Sequence, residues 1–335
     1  MNQGYLGAAR VPDLRRMSSA AFFGMLAVVT MLPLLLLPLS GIQVPTEVGG
    51  TLLGLWVVTG LGHVMSTVWF GLDGDYAPVI DAHRGRMLAS LAVLPAAMGF
   101  LVLTVPSLGN WIFAAYWVWQ AHHYNRQNFG ILSLAAAHDG IGALPRQTHW
   151  VLHLATCGGA INLVTMANIY STGVTTPSSI AAIDIAIWHG LSAFFLAAAA
   201  ILAVYLVATN EALRRSPTVL LFLSLSVVFF VPGLASGSSI TTFWPYAMAH
   251  GAQYLVIMGV TAHQSRRGLS GLIVFMLLVY GLGIAAFFLS GLPWAAVYSG
   301  IVMWHFLVDA RMWRLRDPTV RAIVRQRFAF IFRPA

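Results

Sequence analysis

Long apolar runs follow one another along almost the whole chain and are separated by short polar segments. A run of about 20 apolar residues is long enough to cross the hydrocarbon of a bilayer as an α-helix. The pattern therefore predicts an all-α polytopic membrane protein, a helical bundle of about ten transmembrane helices. The predicted spans are 19–41, 48–71, 87–106, 110–136, 148–170, 180–208, 217–236, 241–263, 269–290 and 292–313.

The polar connections alternate in charge. Arginine occurs before the first predicted span, after every second span and throughout the tail. The connections without arginine are 42–47, 107–109, 171–179, 237–240 and 291. Because basic residues accumulate on the cytoplasmic side, the pattern predicts a multi-pass protein of the cell inner membrane with both termini in the cytoplasm. Three regions follow: a cytoplasmic N-terminal segment, 1–18, a transmembrane bundle, 19–313, and a basic amphipathic cytoplasmic tail, 314–335.

Composition agrees with this class, since 59% of the residues are hydrophobic and only 8% are charged. The net charge of +8 is spread over several connections, which argues against a nucleic-acid partner. Membrane lipid is the predicted partner instead, because the tail alternates arginine with large apolar residues, as interfacial helices do. Cys157 is the only cysteine, which excludes an intrachain disulfide and a thiolate metal site.

Several histidines lie inside the predicted spans, where lipid disfavours polar side chains. An ionisable side chain inside a span is costly, so it faces the bundle interior and marks a candidate functional site. The even-numbered spans each carry such a histidine, at intervals of 55 to 67 residues. They are His63, His122 with His123, His189, His250 and His305. One such residue alone is more typical of an interhelical hydrogen bond, but five at similar depth predict an inward ring of imidazoles.

Two pairs have the spacing of metal ligands. His149 and His153 are four residues apart, so they share one helix face and can bind one metal ion. His305 and Asp309 repeat this spacing with an imidazole and a carboxylate. The predicted metal ligands are His63, His122, His123, His149, His153, His189, His250, His305 and Asp309.

Span four also carries an arginine. His122 and Arg126 share a face, whereas His123 points about 100° away and serves different partners. A buried guanidinium needs a partner, which favours an ion pair between Arg126 and Asp309. The alternative is that Arg126 anchors an anionic substrate or intermediate. Arg126 and Tyr254, which follows the span-eight histidine by one turn, are the predicted catalytic residues.

The segments AHHYN, 121–125, and THWVLH, 148–153, are partial versions of the HxxHH histidine boxes. With its scattered intramembrane histidines, the chain resembles integral-membrane non-heme iron enzymes: desaturases, alkane hydroxylases and the bacterial Brp/Blh carotene dioxygenases. The resemblance implies an oxidoreductase, an oxygenase that uses one or two iron ions and an apolar or lipid-like small molecule. Histidines and Asp309 would be the ligands, open positions would take oxygen and substrate, and an electron donor is a further expected partner.

Other functions fit the same residues. Histidines at one depth on two helices can be the axial ligands of heme b in an electron-transfer protein. Histidine, arginine and aspartate at the midplane can also relay protons or bind a transported metal ion. Copper and zinc accept the same imidazole and carboxylate ligands as iron. The sequence leaves these alternatives open, as well as the question of one centre or two.

Overall fold

The computed structural model describes residues 17–36, 54, 57–170, 185–235, 243–288 and 292–332. Within these ranges every regular element is helical, which agrees with the predicted all-α class. The first half contains α1 (Ser19–Leu36), a π-helical turn (Val57–Gly62), α2 (His63–Met65), α3 (Val68–Leu72), a 3₁₀ turn (Gly74–Tyr76), α4 (Ala77–Thr104), α5 (Pro106–His138) and α6 (Arg146–Tyr170). The second half contains α7 (Ile185–Thr209), α8 (Glu211–Arg214), α9 (Pro217–Val228), α10 (Pro232–Ala235), α11 (Phe243–His263), α12 (Leu269–Phe288), α13 (Leu292–Met312), α14 (Pro318–Arg327) and α15 (Ala329–Phe332).

Each of the ten predicted spans contains a described helix, but fewer helices meet the requirements of a membrane crossing. Among the described residues, four helical segments are long and apolar enough: Gly74–Thr104, Ile187–Thr209, Pro217–Leu234 and Leu269–Phe288. The helices α5, α6, α11 and α13 have lower hydropathy because they carry polar side chains. The N-terminal arginines and the predicted connections 42–47, 171–179, 237–240 and 291 lie outside the described residues.

The second predicted span is not one continuous helix. Its described part consists of the π-helical turn, α2 and α3, and the 48–53 stretch lies outside the described residues. The hydroxyl of Ser66 donates to the carbonyl of His63, one turn back, where α2 ends. An apolar run predicts a helix but not the local change of pitch, which is common near functional sites. The interruption lies directly beside His63.

Prolines fix two helix boundaries. Pro106 has no N–H and disfavours the helical conformation in the residue before it, so Val105 is non-helical and separates α4 from α5. Pro318 begins α14, where the carboxylate of Asp317 accepts the backbone N–H groups of Thr319 and Val320.

Two glycines allow helices to approach closely around the bundle centre. A Cβ atom at Gly251 would lie 1.7 Å from the carbonyl oxygen of Thr59, so α11 contacts the backbone of the π-helical turn. A Cβ atom at Gly300 would lie 2.4 Å from the Cα of Pro95, which brings α13 equally close to α4. Because neither position accepts a side chain, the elements that carry His63, His250 and His305 pack tightly.

The segment after α13 folds back onto the bundle. Val320, Ile323 and Val324 of α14 are buried, and so is Arg327. The guanidinium Nη2 of Arg327 donates to both carboxylate oxygens of Asp73, at 3.1 Å each, and to Asp75. These aspartates, which precede α4, are therefore engaged with an arginine and do not join the histidines.

Apolar side chains cover the outside of the bundle, while polar ones lie within it. Ile201 and Val204 of α7 are each 70% exposed, whereas Gln120, Asn128 and Gln253 are buried. A water-soluble protein shows the opposite arrangement, and an apolar exterior matches the surroundings of a helical bundle in lipid.

Candidate metal centre

Four imidazoles from four elements form a closed ring. His63 lies at the start of α2, and its ring centroid is 4.9 Å from that of His250 on α11 and 5.2 Å from that of His305 on α13. His123 on α5 completes the ring, 4.8 Å from His250 and 5.2 Å from His305. All four side chains are buried, and His305 is completely inaccessible.

The distances between neighbouring ring centroids are compatible with a shared metal ion, although the ligand atoms fall into two groups, His63 with His250 and His305, and His123 with His305 and Asp309. An ion about 2.1 Å from each imidazole nitrogen lies roughly 3.2 Å from each ring centroid. Neighbouring centroids would then be about 4.5 Å apart at right angles and about 5.2 Å apart at the tetrahedral angle. The observed range of 4.8 to 5.2 Å falls between these limits. Ligand nitrogens of His63, His250 and His305 also lie within 4.8 Å of one another.

Hydrogen bonds orient two of the imidazoles. The Nδ1 atom of His63 lies 2.7 Å from the carbonyl oxygen of Thr59, to which it can only donate. The Nδ1 atom of His305 lies 2.5 Å from Oγ1 of Thr67. When Nδ1 donates, Nε2 keeps a free lone pair, which is the usual arrangement of metal-ligating histidines.

Several buried ring nitrogens of this cluster have no hydrogen-bond partner in the described part of the chain. Among the described residues, Nε2 of His123, Nε2 of His305 and both nitrogens of His250 make no hydrogen bond. An unsatisfied buried polar atom carries a cost of about 1–3 kcal/mol. Three of the four ring histidines therefore each keep at least one nitrogen available for a ligand that they could share.

Asp309 adds a carboxylate at one edge of the ring. Its Oδ2 atom is 3.6 Å from Nε2 of His305 and 3.9 Å from Nε2 of His123. The hydroxyl of Tyr254 donates to the other oxygen, Oδ1, at 2.5 Å. Asp309 is buried, and no described arginine forms an ion pair with it. A buried carboxylate without a cation is unfavourable, so the position suits a positive ion.

Aromatic rings close the site. Phe306 stacks on His123 at 4.1 Å, and Tyr124 lies 4.5 Å from His250. Gln127, one turn after His123, donates to the carbonyl of His250 at 2.9 Å and so ties α5 to α11. The prediction that His122 and His123 point in different directions is confirmed, because His123 is buried at the ring while His122 is exposed.

A second group of predicted residues lies outside the ring. His122, Arg126 and His153 are exposed on α5 and α6, and His149 is half-buried. The predicted ion pair between Arg126 and Asp309 is wrong, because Arg126 lies on the outward face of α5 and Asp309 lies at the centre. The two histidines of α6 contact α5 instead. His149 stacks on Phe129 at 4.4 Å, and Nδ1 of His153 lies 3.4 Å from Asn125.

His189 is also absent from the ring. It is half-buried on α7, which packs against α6 and α9. Within the described part of the chain it makes no contact with the four ring histidines or Asp309. The sequence could not assign the neighbours of His189.

Sequence reasoning missed Thr59 and Thr67, whose oxygens orient the ring histidines. Thr67 stands beside Ser66 in an apolar stretch, and two adjacent hydroxyls there were the available signal.

Comparisons of the chain with protein-family models, with curated proteins and with solved structures found no match.

Proposed function

We propose that the chain binds one transition-metal ion inside the membrane through His63, His123, His250 and His305, with Asp309 as an anionic ligand or close neighbour. The observation that carries the proposal is the closed imidazole ring with unpartnered nitrogens beside the buried carboxylate of Asp309, with which no described arginine forms an ion pair. Nitrogen and oxygen donors without sulfur suit iron, copper, zinc or manganese. Iron is our first choice, because the chain resembles membrane non-heme iron enzymes.

One ion is favoured over two. The two groups of possible ligands, His63 with His250 and His305, and His123 with His305 and Asp309, share His305. Because Nδ1 of His305 is held by Thr67, only Nε2 remains for a metal. A single nitrogen cannot serve two ions, so the two groups cannot each hold an ion, and this supports one ion between them.

The arrangement disfavours heme. In a bis-histidine heme, the porphyrin fills the plane between two axial imidazoles. Here each histidine has two ring neighbours at 4.8 to 5.2 Å, so the plane between any opposite pair is occupied by the other two imidazoles.

The proposed activity is that of a metal-dependent oxidoreductase, an oxygenase that acts on an apolar or lipid-like substrate. An ion with histidine ligands and an open position can bind dioxygen, and apolar surroundings suit an apolar substrate. Tyr254 and Asp309 form a hydrogen-bonded pair at the ring edge, where they can hold a proton close to the ion. Insertion of one atom of dioxygen into the substrate, with the other atom released as water, would require two electrons from a donor. Insertion of both atoms into the substrate would require none.

The topology belongs to the same proposal. Ten spans with both termini in the cytoplasm, in the inner membrane, are supported by the agreement of ten hydropathy segments with helices and by the alternation of arginine. Reporter fusions at 141–145 and 264–268 should report the cytoplasm. A periplasmic signal from either would contradict this orientation.

Metal analysis by mass spectrometry tests the site directly. The protein purified in mild detergent should contain about one ion per chain, and its absorption spectrum should lack a Soret band. Alanine at His123 or His305 should abolish metal retention, because each removes a ring ligand. Alanine at His153 or His189 removes a histidine outside the ring and should leave the metal content unchanged. Equal loss in all four variants, or no loss in any, would contradict the site.

A spectroscopic probe tests the oxygen chemistry. Nitric oxide added to the iron-loaded protein without oxygen should produce the electron paramagnetic resonance signal of a high-spin iron–nitrosyl, which requires an open coordination position. Tyr254→Phe should keep the metal, since the tyrosine contacts Asp309 rather than the ion. A metal-loaded protein without this signal would favour a structural ion or metal transport.

A further inference from the structure

A cavity of about 290 Å³ opens where α4 begins and α13 ends. We call it the arginine cavity. Its lining residues are Val79, His83, Arg311, Arg314, Arg316 and Asp317. It shares no lining residue with the metal centre.

The arginines of this cavity have no acidic partner among the described residues, unlike Arg215, Arg266 and Arg327. Arg327 is held by two aspartates, and Arg266 pairs with Asp75 at 2.9 Å. In contrast, the side chains of Arg311, Arg314 and Arg316 form no ion pair or hydrogen bond within the described ranges. Three arginines therefore line one space without an ion pair of their own.

The one carboxylate in the lining is already engaged. Oδ1 of Asp317 accepts the backbone N–H of Thr319 at 2.8 Å and that of Val320 at 3.2 Å, as the cap of α14. With three arginines and one aspartate, the lining has a net charge of +2 before His83 is counted. The cavity is therefore complementary to an anion with a charge of about two.

We propose that the arginine cavity binds a phosphate group. Guanidinium forks match the oxygens of phosphate in a bidentate manner, and several forks around one space select an anion with several acceptor oxygens. The cavity lies at the end of the apolar segment Gly74–Thr104, where the headgroup of an anionic lipid would meet a bundle in a bilayer. A phosphate on a soluble molecule has the same chemistry.

Titration of the detergent-purified protein distinguishes these sources. The probes are inorganic phosphate, short-chain phosphatidylglycerol and, as a zwitterionic control, short-chain phosphatidylcholine, each followed by native mass spectrometry. Binding of phosphatidylglycerol alone would assign the site to a lipid headgroup. Binding of inorganic phosphate as well would assign it to a soluble phosphate. Either result supports the phosphate site when the variants below respond as expected.

The variant Arg314→Gln/Arg316→Gln should bind the preferred probe at least tenfold more weakly. Arg321→Gln/Arg325→Gln removes the same charge from exposed positions of α14 outside the cavity and should bind as the wild type does. Arg314→Lys/Arg316→Lys keeps the charge but loses the forks, so it should show an intermediate affinity. The proposal is overturned if the cavity and control variants bind equally, or if the wild type binds neither phosphate nor phosphatidylglycerol. The positions changed are exposed, so unchanged thermal unfolding should accompany the loss of binding.

Discussion

The contact between Thr67 and His305 gives the most specific test of the metal centre. Replacement of Thr67 by valine keeps the shape of the side chain and removes only the hydroxyl, whose oxygen lies 2.5 Å from Nδ1 of His305. The imidazole of His305 is completely buried, so no water can replace the lost partner. The valine variant therefore leaves the ring of His305 without the group that fixes its tautomer.

The size of the effect follows from two estimates. Removal of a hydrogen-bond partner of a metal-ligating histidine costs about 10- to 100-fold in metal affinity, or about 1.4–2.7 kcal/mol. An unsatisfied buried donor costs about 1–3 kcal/mol by itself. The first range sets the expected decrease in metal affinity at about 10- to 100-fold for Thr67→Val, and the second is the expected cost to folding.

Metal retained against a graded series of chelator concentrations measures this affinity. Thr67→Ser, which keeps the hydroxyl, should bind metal nearly as the wild type does. Thr156→Val is the matched control, because its buried hydroxyl donates only to the carbonyl of Leu152 in its own helix. A Thr67→Val protein whose affinity stays within about twofold of the wild type would refute the role of His305 as an oriented ligand.

Two further predictions concern packing around the site. Arg327→Met leaves the buried Asp73 without its cation, while Asp75 keeps Arg266, and should destabilise the protein by about 3 kcal/mol in thermal unfolding, whereas Arg325→Met, exposed on the same helix, should change stability by about 0.5 kcal/mol or less. Equal melting temperatures of these variants would contradict the buried ion pair. Gly251→Ala forces α11 away from the carbonyl of Thr59, should cost about 1–3 kcal/mol and should lower metal retention. Gly130→Ala, which meets no atom within 4 Å, should do neither, and equal metal content in the two alanine variants would count against this close contact.

Much of the candidate site was predictable because it depends on local geometry. A helix rotates by about 100° per residue, so adjacent histidines in span four had to face different directions. His123 indeed faces the ring and His122 does not. The spacing of His305 and Asp309 likewise brought an imidazole and a carboxylate together, 3.6 Å apart. Hydropathy determined the helical class for the same reason, since the bilayer requires backbone hydrogen bonds within each span.

The tertiary structure alone decided which helices meet at the centre. Depth follows from the position of a residue along its span, but the lateral neighbours of a helix follow from side-chain packing with distant parts of the chain. His189 lies on α7, which packs against α6 and α9, and it belongs to neither group of possible metal ligands. Thr67 reaches His305 across 238 residues, and Arg327 reaches Asp73 across 254. Such contacts join different helices, and the periodicity within any one helix contains no information about its partners.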